Sequence, residues 1–390
     1  MSKIVYFCIP AYGHTNPTLA VVKELVSLGH EVYYYSFDEF KERIEEAGAT
    51  FIRCDDYDLG MEESTDASDK VGKDIVFSTK LIVNATLAMD EKLTKEMEEL
   101  KPDVIVGDSV AYWGKMIAKK LHIPFVSSTT TFAFNRYSSA IMKTSLKELI
   151  KMMFDMPKTK KLLAPLREKG YPADNILSIV QNDNETDTIV YTSKDFQPCS
   201  ETFSDKYSFV GPLLRESKEE IKKSADKLIY ISLGTVNNRH PDFYKNCMEA
   251  LKDTTYQVIL SVGAGTDLSS LGTIPSNMTA ASSVDQMAVL KKADVFLSHC
   301  GMNSVNESLY LKVPLLMFPQ TPEQEGVARR VEQLGAGIFL KDAGSGSIRN
   351  GLETVLNDPS YKTNAGKISD GFKMCGGAKE AAVAILNAVH

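Results

Sequence analysis

The stretch Ala293-Asp294-Val295-Phe296-Leu297-Ser298-His299-Cys300-Gly301-Met302-Asn303-Ser304-Val305-Asn306-Glu307 passes from an apolar segment, through a glycine, into a polar helix start. Its first six residues are short, β-branched and aromatic, as expected of a parallel strand buried on both faces. Gly301 allows the sharp turn, and Asn303 or Ser304 can cap the helix, which continues through Leu309. The N–H groups of a first helical turn, with the positive end of the helix dipole, form a seat for a diphosphate. His299 falls at the carboxyl end of the strand, where ligands of open α/β sheets collect. Glu307 lies one turn into the helix, placed to accept hydrogen bonds from ribose hydroxyls. A second strand over residues 313–318 then brings Glu323 and Gln324 to the same rim.

Outward from this stretch the pattern repeats. Residues 3–10 read as a strand, 17–28 as a helix with Pro17 in its first turn, and Glu31–Ser36 as the next strand. That βαβ opening predicts a parallel, doubly wound sheet. It contains no G-x-G-x-x-G, which argues against a nicotinamide or flavin site. Residues 103–107 and 124–128 are further strands flanking a helix over 111–121, and 188–192 is a late strand. Strand character restarts at 228–233 and continues at 258–262. The expected organisation is an α/β chain of two Rossmann-like domains: residues 1–210, a linker over 211–226, residues 227–375, and an alanine-rich C-terminal helix over 376–390. A chain of 390 residues is long enough for two cores.

Composition narrows the class. Hydrophobic residues at 43% and charged residues at 24% describe a soluble globular protein, and a net charge of −7 weighs against nucleic acid as partner. The six cysteines (8, 54, 199, 247, 300 and 375) form no C-x-x-C pair and no metal-ligand spacing, and read as reduced cytosolic thiols. No run of eighteen apolar residues occurs. The expectation is a cytoplasmic protein without stable membrane insertion.

Gly13-His14-Thr15-Asn16-Pro17 occupies the loop after the first strand. An imidazole there either caps the turn or, titrating near neutrality, takes a proton from a hydroxyl. Asp108 ends the 103–107 strand at the same rim, where it either caps the following helix or holds the other nitrogen of His14. Asp103, at the opposite end, is wrongly placed for this. In the second half, Ser232-Leu233-Gly234-Thr235 is again a strand followed by a glycine turn. There Gly234 lets backbone approach phosphate, and Ser232 or Thr235 can donate a hydroxyl.

The segment from Val284 to Gln324 resembles the donor-binding signature of the inverting small-molecule glycosyltransferases of GT-B fold, and is most similar to their bacterial macrolide-type branch. The resemblance extends over nearly the whole chain, because the G-H-x-N-P motif fits too. It implies two Rossmann-like domains facing a cleft, with the C-terminal helix crossing back onto the first. It also implies transfer of a sugar, glucose being the expected one, from a UDP-sugar to a hydroxyl of an apolar macrolide-, flavonoid- or phenol-like molecule, forming a β-O-glycoside. On that reading His14 is the base, Asp108 orients it, and Ser232, Gly234, Thr235, Val284, Gln286, His299, Gly301, Asn303, Ser304, Glu307, Glu323 and Gln324 bind the donor. Tyr12, Trp113, Phe132, Phe134, Tyr137 and Met142 are candidates for the acceptor pocket; side chains of these types serve equally well as core. Two departures from the family pattern stand out. Ser283 replaces the aromatic that stacks on the nucleobase and Asp285 replaces the following proline, while Gly326 precedes Val327-Ala328 where bacterial relatives often carry Asn. Asp56-Tyr57-Asp58 has the D-x-D form of a metal site but reads as a solvated turn, so no metal and no cofactor beyond the UDP-sugar co-substrate is expected. The chain is expected to be a monomer or weak dimer. Alternatives are an epimerase or hydrolase of the same fold, and a non-catalytic nucleotide-sugar binder.

Overall fold

The computed structural model describes residues 1–54, 74–142, 146–180, 182, 184–234 and 238–389, without the side chains of 142 and 146–153. The chain divides into two compact units, one of residues Met1–Tyr191, Cys199–Leu213 and Gly376–His390, the other of Thr192–Pro198 and Leu214–Cys375.

The first unit is built on β1 (Lys3–Phe7), β2 (Glu31–Ser36), β3 (Thr50–Arg53), β4 (Val104–Asp108), β5 (Phe125–Thr129), β6 (Asp187–Val190) and β7 (Tyr207–Phe209). They form one parallel sheet in the order β3-β2-β1-β4-β5-β6-β7. Side chains along β1 alternate between two apolar layers, as the two-residue period of a strand requires. Ile4 and Tyr6 pack with Val21 and Leu25 of the Tyr12–Ser27 helix, whereas Val5 and Phe7 pack with Met89 of the Ile75–Leu100 helix and Ile117 of the Tyr112–Leu121 helix. Burial on both faces explains why these strands read as continuous apolar runs. The C-terminal Gly377–Asn387 helix joins the first of these layers through Ala381, Ala382 and Ile385.

The second unit carries β8 (Leu228–Ser232), β9 (Gln257–Ser261), β10 (Met278–Ala281), β11 (Val295–Ser298), β12 (Leu315–Met317) and β13 (Gly337–Phe339) in the parallel order β10-β9-β8-β11-β12-β13. The segment Thr192–Pro198 belongs to this unit because Arg330 donates to the Asp195 and Phe196 carbonyls at 2.8 and 2.9 Å, and Phe196 meets Phe372 edge-on with ring centroids 5.5 Å apart.

In each sheet the strand order reverses beside the first strand, between β1 and β4 and between β8 and β11. The loops leaving these strands diverge there and open a crevice at the carboxyl edge. Among the described residues no helix is long and apolar enough to cross a membrane.

Candidate active site

At the reversal point of the first unit, the helix start after β1 supplies His14 and the end of β4 supplies Asp108. The helix after β1 starts earlier than Pro17 suggests: it runs Tyr12–Ser27 with Ala11 as the preceding cap, so His14 lies in its first turn and Pro17 inside it. A proline tolerated near a helix start does not have to be its first residue, since Pro17 forfeits only the bond it would give to the Gly13 carbonyl. His14 Nδ1 lies 2.7 Å from Asp108 Oδ2 and 3.1 Å from Thr130 Oγ1. The other carboxylate oxygen of Asp108 accepts from the Val110 N–H at 2.9 Å, so both oxygens are engaged. Asp108 does not cap the next helix, whose preceding residue is Ala111 with no side-chain cap. The Asp108 side chain is 1% exposed and that of His14 26%. A proton held on Nδ1 by a buried carboxylate leaves Nε2 as the basic nitrogen, and the imidazolium formed on protonation is stabilised in place.

The aromatic candidates separate into two groups. Trp113 and Phe132 are core residues, 6% and 1% exposed. Tyr12 is half-exposed, edge-on to Phe40 and beneath the Arg43 guanidinium at 5.1 Å. Tyr137 is exposed and carries Arg136 over its ring at 4.6 Å, and Phe134 is partly buried. The Met142 side chain, Thr235 and the Asp56-Tyr57-Asp58 triplet lie outside the described residues.

At the reversal point of the second unit, β11 ends at Ser298 and the helix Met302–Tyr310 begins after Gly301, which makes no side-chain cap. Asn303 and Ser304 are therefore inside the first turn rather than capping it. The first helical bond is Val305 N–H to Gly301 C=O at 3.0 Å, so the amides of Met302, Asn303 and Ser304 precede any possible intrahelical acceptor. The sharp turn is made by Cys300, at φ 65°, rather than by Gly301, at φ −59°. Gly301 is needed for a different reason. A Cβ there would fall 2.6 Å from His299 Nε2, and one on Gly234 would fall 2.6 Å from the same atom. Gly234 also has φ 81°, which glycine adopts without strain. The His299 ring is thus held between two glycines on adjacent loops. Burial pushes its pKa down to about 4 against the opposing effect of the Ser232 carbonyl, so the ring is neutral at pH 7. A neutral ring offers an N–H donor rather than the positive charge that a histidine at a helix start suggests. Ser232 is buried and its Oγ accepts from the Gly234 N–H at 3.2 Å, so it shapes the turn.

Glu307 projects from the same helix toward Gln286, the first residue of the Gln286–Leu290 helix. Gln286 Nε2 donates to Glu307 Oε2 at 2.6 Å and to Ser304 Oγ at 3.3 Å, while its Oε1 accepts from Tyr230 OH at 3.1 Å. Burial raises the Glu307 carboxyl above its ordinary value, and the Gln286 bond offsets part of that. Glu307 is thereby held in place through one of its carboxylate oxygens. Val284, just before, is partly buried, and Ser283 is exposed. Glu323 and Gln324 open the Pro322–Gln333 helix. Thr321 Oγ1 accepts from the Gln324 N–H at 3.3 Å, and Gln324 Oε1 accepts from the Gln320 N–H at 2.9 Å, with Glu323 exposed.

Three contributors escape a sequence reading. Thr130, 116 positions from His14, reaches it only through the fold. Asn238 is buried; it donates to the Gly234 carbonyl at 3.0 Å and accepts from the Gly265 N–H at 3.1 Å, locking the loop after β8 against the loop after β9. Arg215 bonds Asp285 at 2.8 Å.

The likeness to known proteins agrees with this geometry. Residues 207–373 match a family model described as UDP-glucoronosyl and UDP-glucosyl transferase. The chain is 35% identical to the NDP-glycosyltransferase YjiC of Bacillus subtilis (strain 168), over 97% of this chain and 95% of that protein. It is 25% identical to the oleandomycin glycosyltransferase of Streptomyces antibioticus, over 98% and 89%. The crystal structure of CalG4, the calicheamicin glycosyltransferase, matches with a TM-score of 0.81 at 26% identity, covering 100% of this chain and 98% of that one. The chain accordingly belongs to the UDP-glucosyl transferase family, as a glycosyltransferase of the macrolide type with the GT-B fold that acts on small molecules.

Proposed function

We propose that the protein transfers glucose from UDP-glucose to a hydroxyl of an apolar small molecule, with inversion at the anomeric carbon. The observation that carries this reading is the 2.7 Å contact between His14 Nδ1 and Asp108 Oδ2. His14 Nε2 removes the acceptor's hydroxyl proton while the acceptor oxygen forms its bond to the anomeric carbon. The bond from that carbon to the diphosphate oxygen breaks on the opposite face, turning an α-linked donor into a β-glycoside and releasing UDP. Asp108 keeps the proton on Nδ1 beforehand and stabilises the imidazolium afterwards. The departing diphosphate is received by the first-turn amides of the Met302–Tyr310 helix and by His299 as a neutral donor, so the charge needs no metal. Glu307, held by Gln286, takes the ribose hydroxyls, and Glu323 with Gln324 takes those of the sugar.

Incubation with UDP-glucose, with and without a phenolic acceptor, tests the reading. UDP formed only in the presence of acceptor, together with a β-glycoside by mass spectrometry and NMR, is the expected result. UDP formed without acceptor would indicate a hydrolase, an altered sugar nucleotide an epimerase, and binding without turnover a non-catalytic binder.

A further inference from the structure

The polar groups of the second unit's seat follow an order. The first-turn amides from Met302 to Ser304 come first, and Glu307 stands one turn along the same helix. Beyond Glu307 stands Gln286, which grips it at 2.6 Å, and beside Gln286 stands Asp285, which holds Arg215. A nucleoside diphosphate has the same order, diphosphate, ribose and base. With Glu307 at the ribose, as proposed above, the groups past it in this series stand on the side of the base.

Arg215 is built to be met. Its Nη2 donates to Asp285 Oδ1 at 2.8 Å, and the Asp285 side chain is only 10% exposed while that of Arg215 is 47% exposed. Asp285 is itself fixed, accepting from the Ala288 N–H at 3.2 Å as cap of the Gln286–Leu290 helix. The backbone around Arg215 is tied down as well, since Lys291 Nζ donates to the Ser217 carbonyl at 3.0 Å. The guanidinium charge is felt at Glu307, where it favours the ionised carboxylate. An ordinary surface arginine moves freely; this one is held by a nearly buried carboxylate, leaving a planar, donor-only group beside the seat.

We infer that Arg215 reads the nucleobase, donating to a carbonyl on the edge of a pyrimidine, so that uracil is accepted and cytosine, with an amino group there, is disfavoured. The inference rests on the UDP-sugar reading above. A guanidinium has no acceptor, so it pairs with the O4 carbonyl of uracil and opposes the N4 amino group of cytosine.

Isothermal titration of UDP and of CDP into the wild-type chain, Arg215→Ala and Arg215→Lys separates the possibilities. The wild type should bind UDP roughly tenfold tighter than CDP, the scale of one charge-assisted hydrogen bond. In Arg215→Ala, UDP should weaken about tenfold and CDP less than about twofold, closing the gap, and Arg215→Lys should restore part of it. Equal weakening of both ligands in Arg215→Ala would reduce the arginine to a strut for the helix and overturn the inference. So would unchanged UDP binding in that variant, or a wild type that binds CDP as tightly as UDP. A wild type that binds neither nucleotide would overturn the UDP-sugar reading along with it.

Discussion

Each unit places a histidine beside the reversal of strand order, His14 after β1 and His299 after β11, yet the two imidazoles are opposites. His14 has a carboxylate at 2.7 Å and a quarter of its side chain in solvent. Among the described residues His299 has no carboxylate partner; its ring is pressed between Gly234 and Gly301, and burial pushes its pKa to about 4. The fold supplies the place, and the groups packed around each ring decide its electrostatics. A histidine paired with a buried aspartate is held in one orientation with its other nitrogen turned away from the pair; one confined by backbone and buried stays neutral and can only donate.

The sharpest way to break this contrast is His14→Ala, which should lower kcat by about 10³-fold, within the range for positioned bases, while UDP affinity changes less than about threefold. Equal losses in kcat and nucleotide affinity would erase the distinction between the two histidines. Asp108→Asn keeps the shape but removes the charge that stabilises the imidazolium, and kcat should drop roughly a hundredfold. An unchanged kcat would make the Asp108 contact purely structural. On the other side, Gly301→Ala drives a methyl into His299 and should raise the donor KM at least about tenfold, with the acceptor KM steady. Glu307→Ala should raise the donor KM about fivefold, the loss of one modest hydrogen bond; a rise confined to the acceptor would refute its ribose role. A last effect concerns stability rather than rate or affinity. The folded pKa of His299 lies near 4, below its ordinary 6.5, so the unfolded chain takes up the proton first. Its contribution to stability is complete above about pH 6.5 and drains away as pH falls toward 4. Urea midpoints at pH 7 and 4.5 should therefore diverge less in His299→Asn than in the wild type, and an identical divergence would show that the ring is not held neutral.

Much of this was legible because parallel strands buried on both faces advertise themselves. Glu31–Ser36 is apparent from its apolar run, and β8 and β11 likewise, each within a residue or two of its true ends. Three strands were not: β3, β10 and β13 include Thr50, Thr279 and Gly337 among their four, four and three residues, so no apolar run forms. The residues of the site could be named, but their local roles could not always be. Gly301 looks like the turn residue, whereas Cys300 carries the positive φ and Gly301 is there for want of space beside His299. Pro17 resembles a helix start, while the helix begins at Tyr12. The second neighbour of His14, Thr130, and the clasp between Arg215 and Asp285 arise from contacts over 116 and 70 positions, which no local pattern encodes.

The ring of His299 between two glycines ties the fates of three positions together. Any side chain at 234 or 301 collides with the imidazole, and φ 81° at 234 admits little but glycine in any case. A change at position 234, 299 or 301 therefore has to be matched at the other two. A chimera whose crossover falls between residues 234 and 299 keeps this match only if both parents carry glycine and histidine at matching places. Recombination of this chain with its relatives is safest with both loops drawn from a single parent.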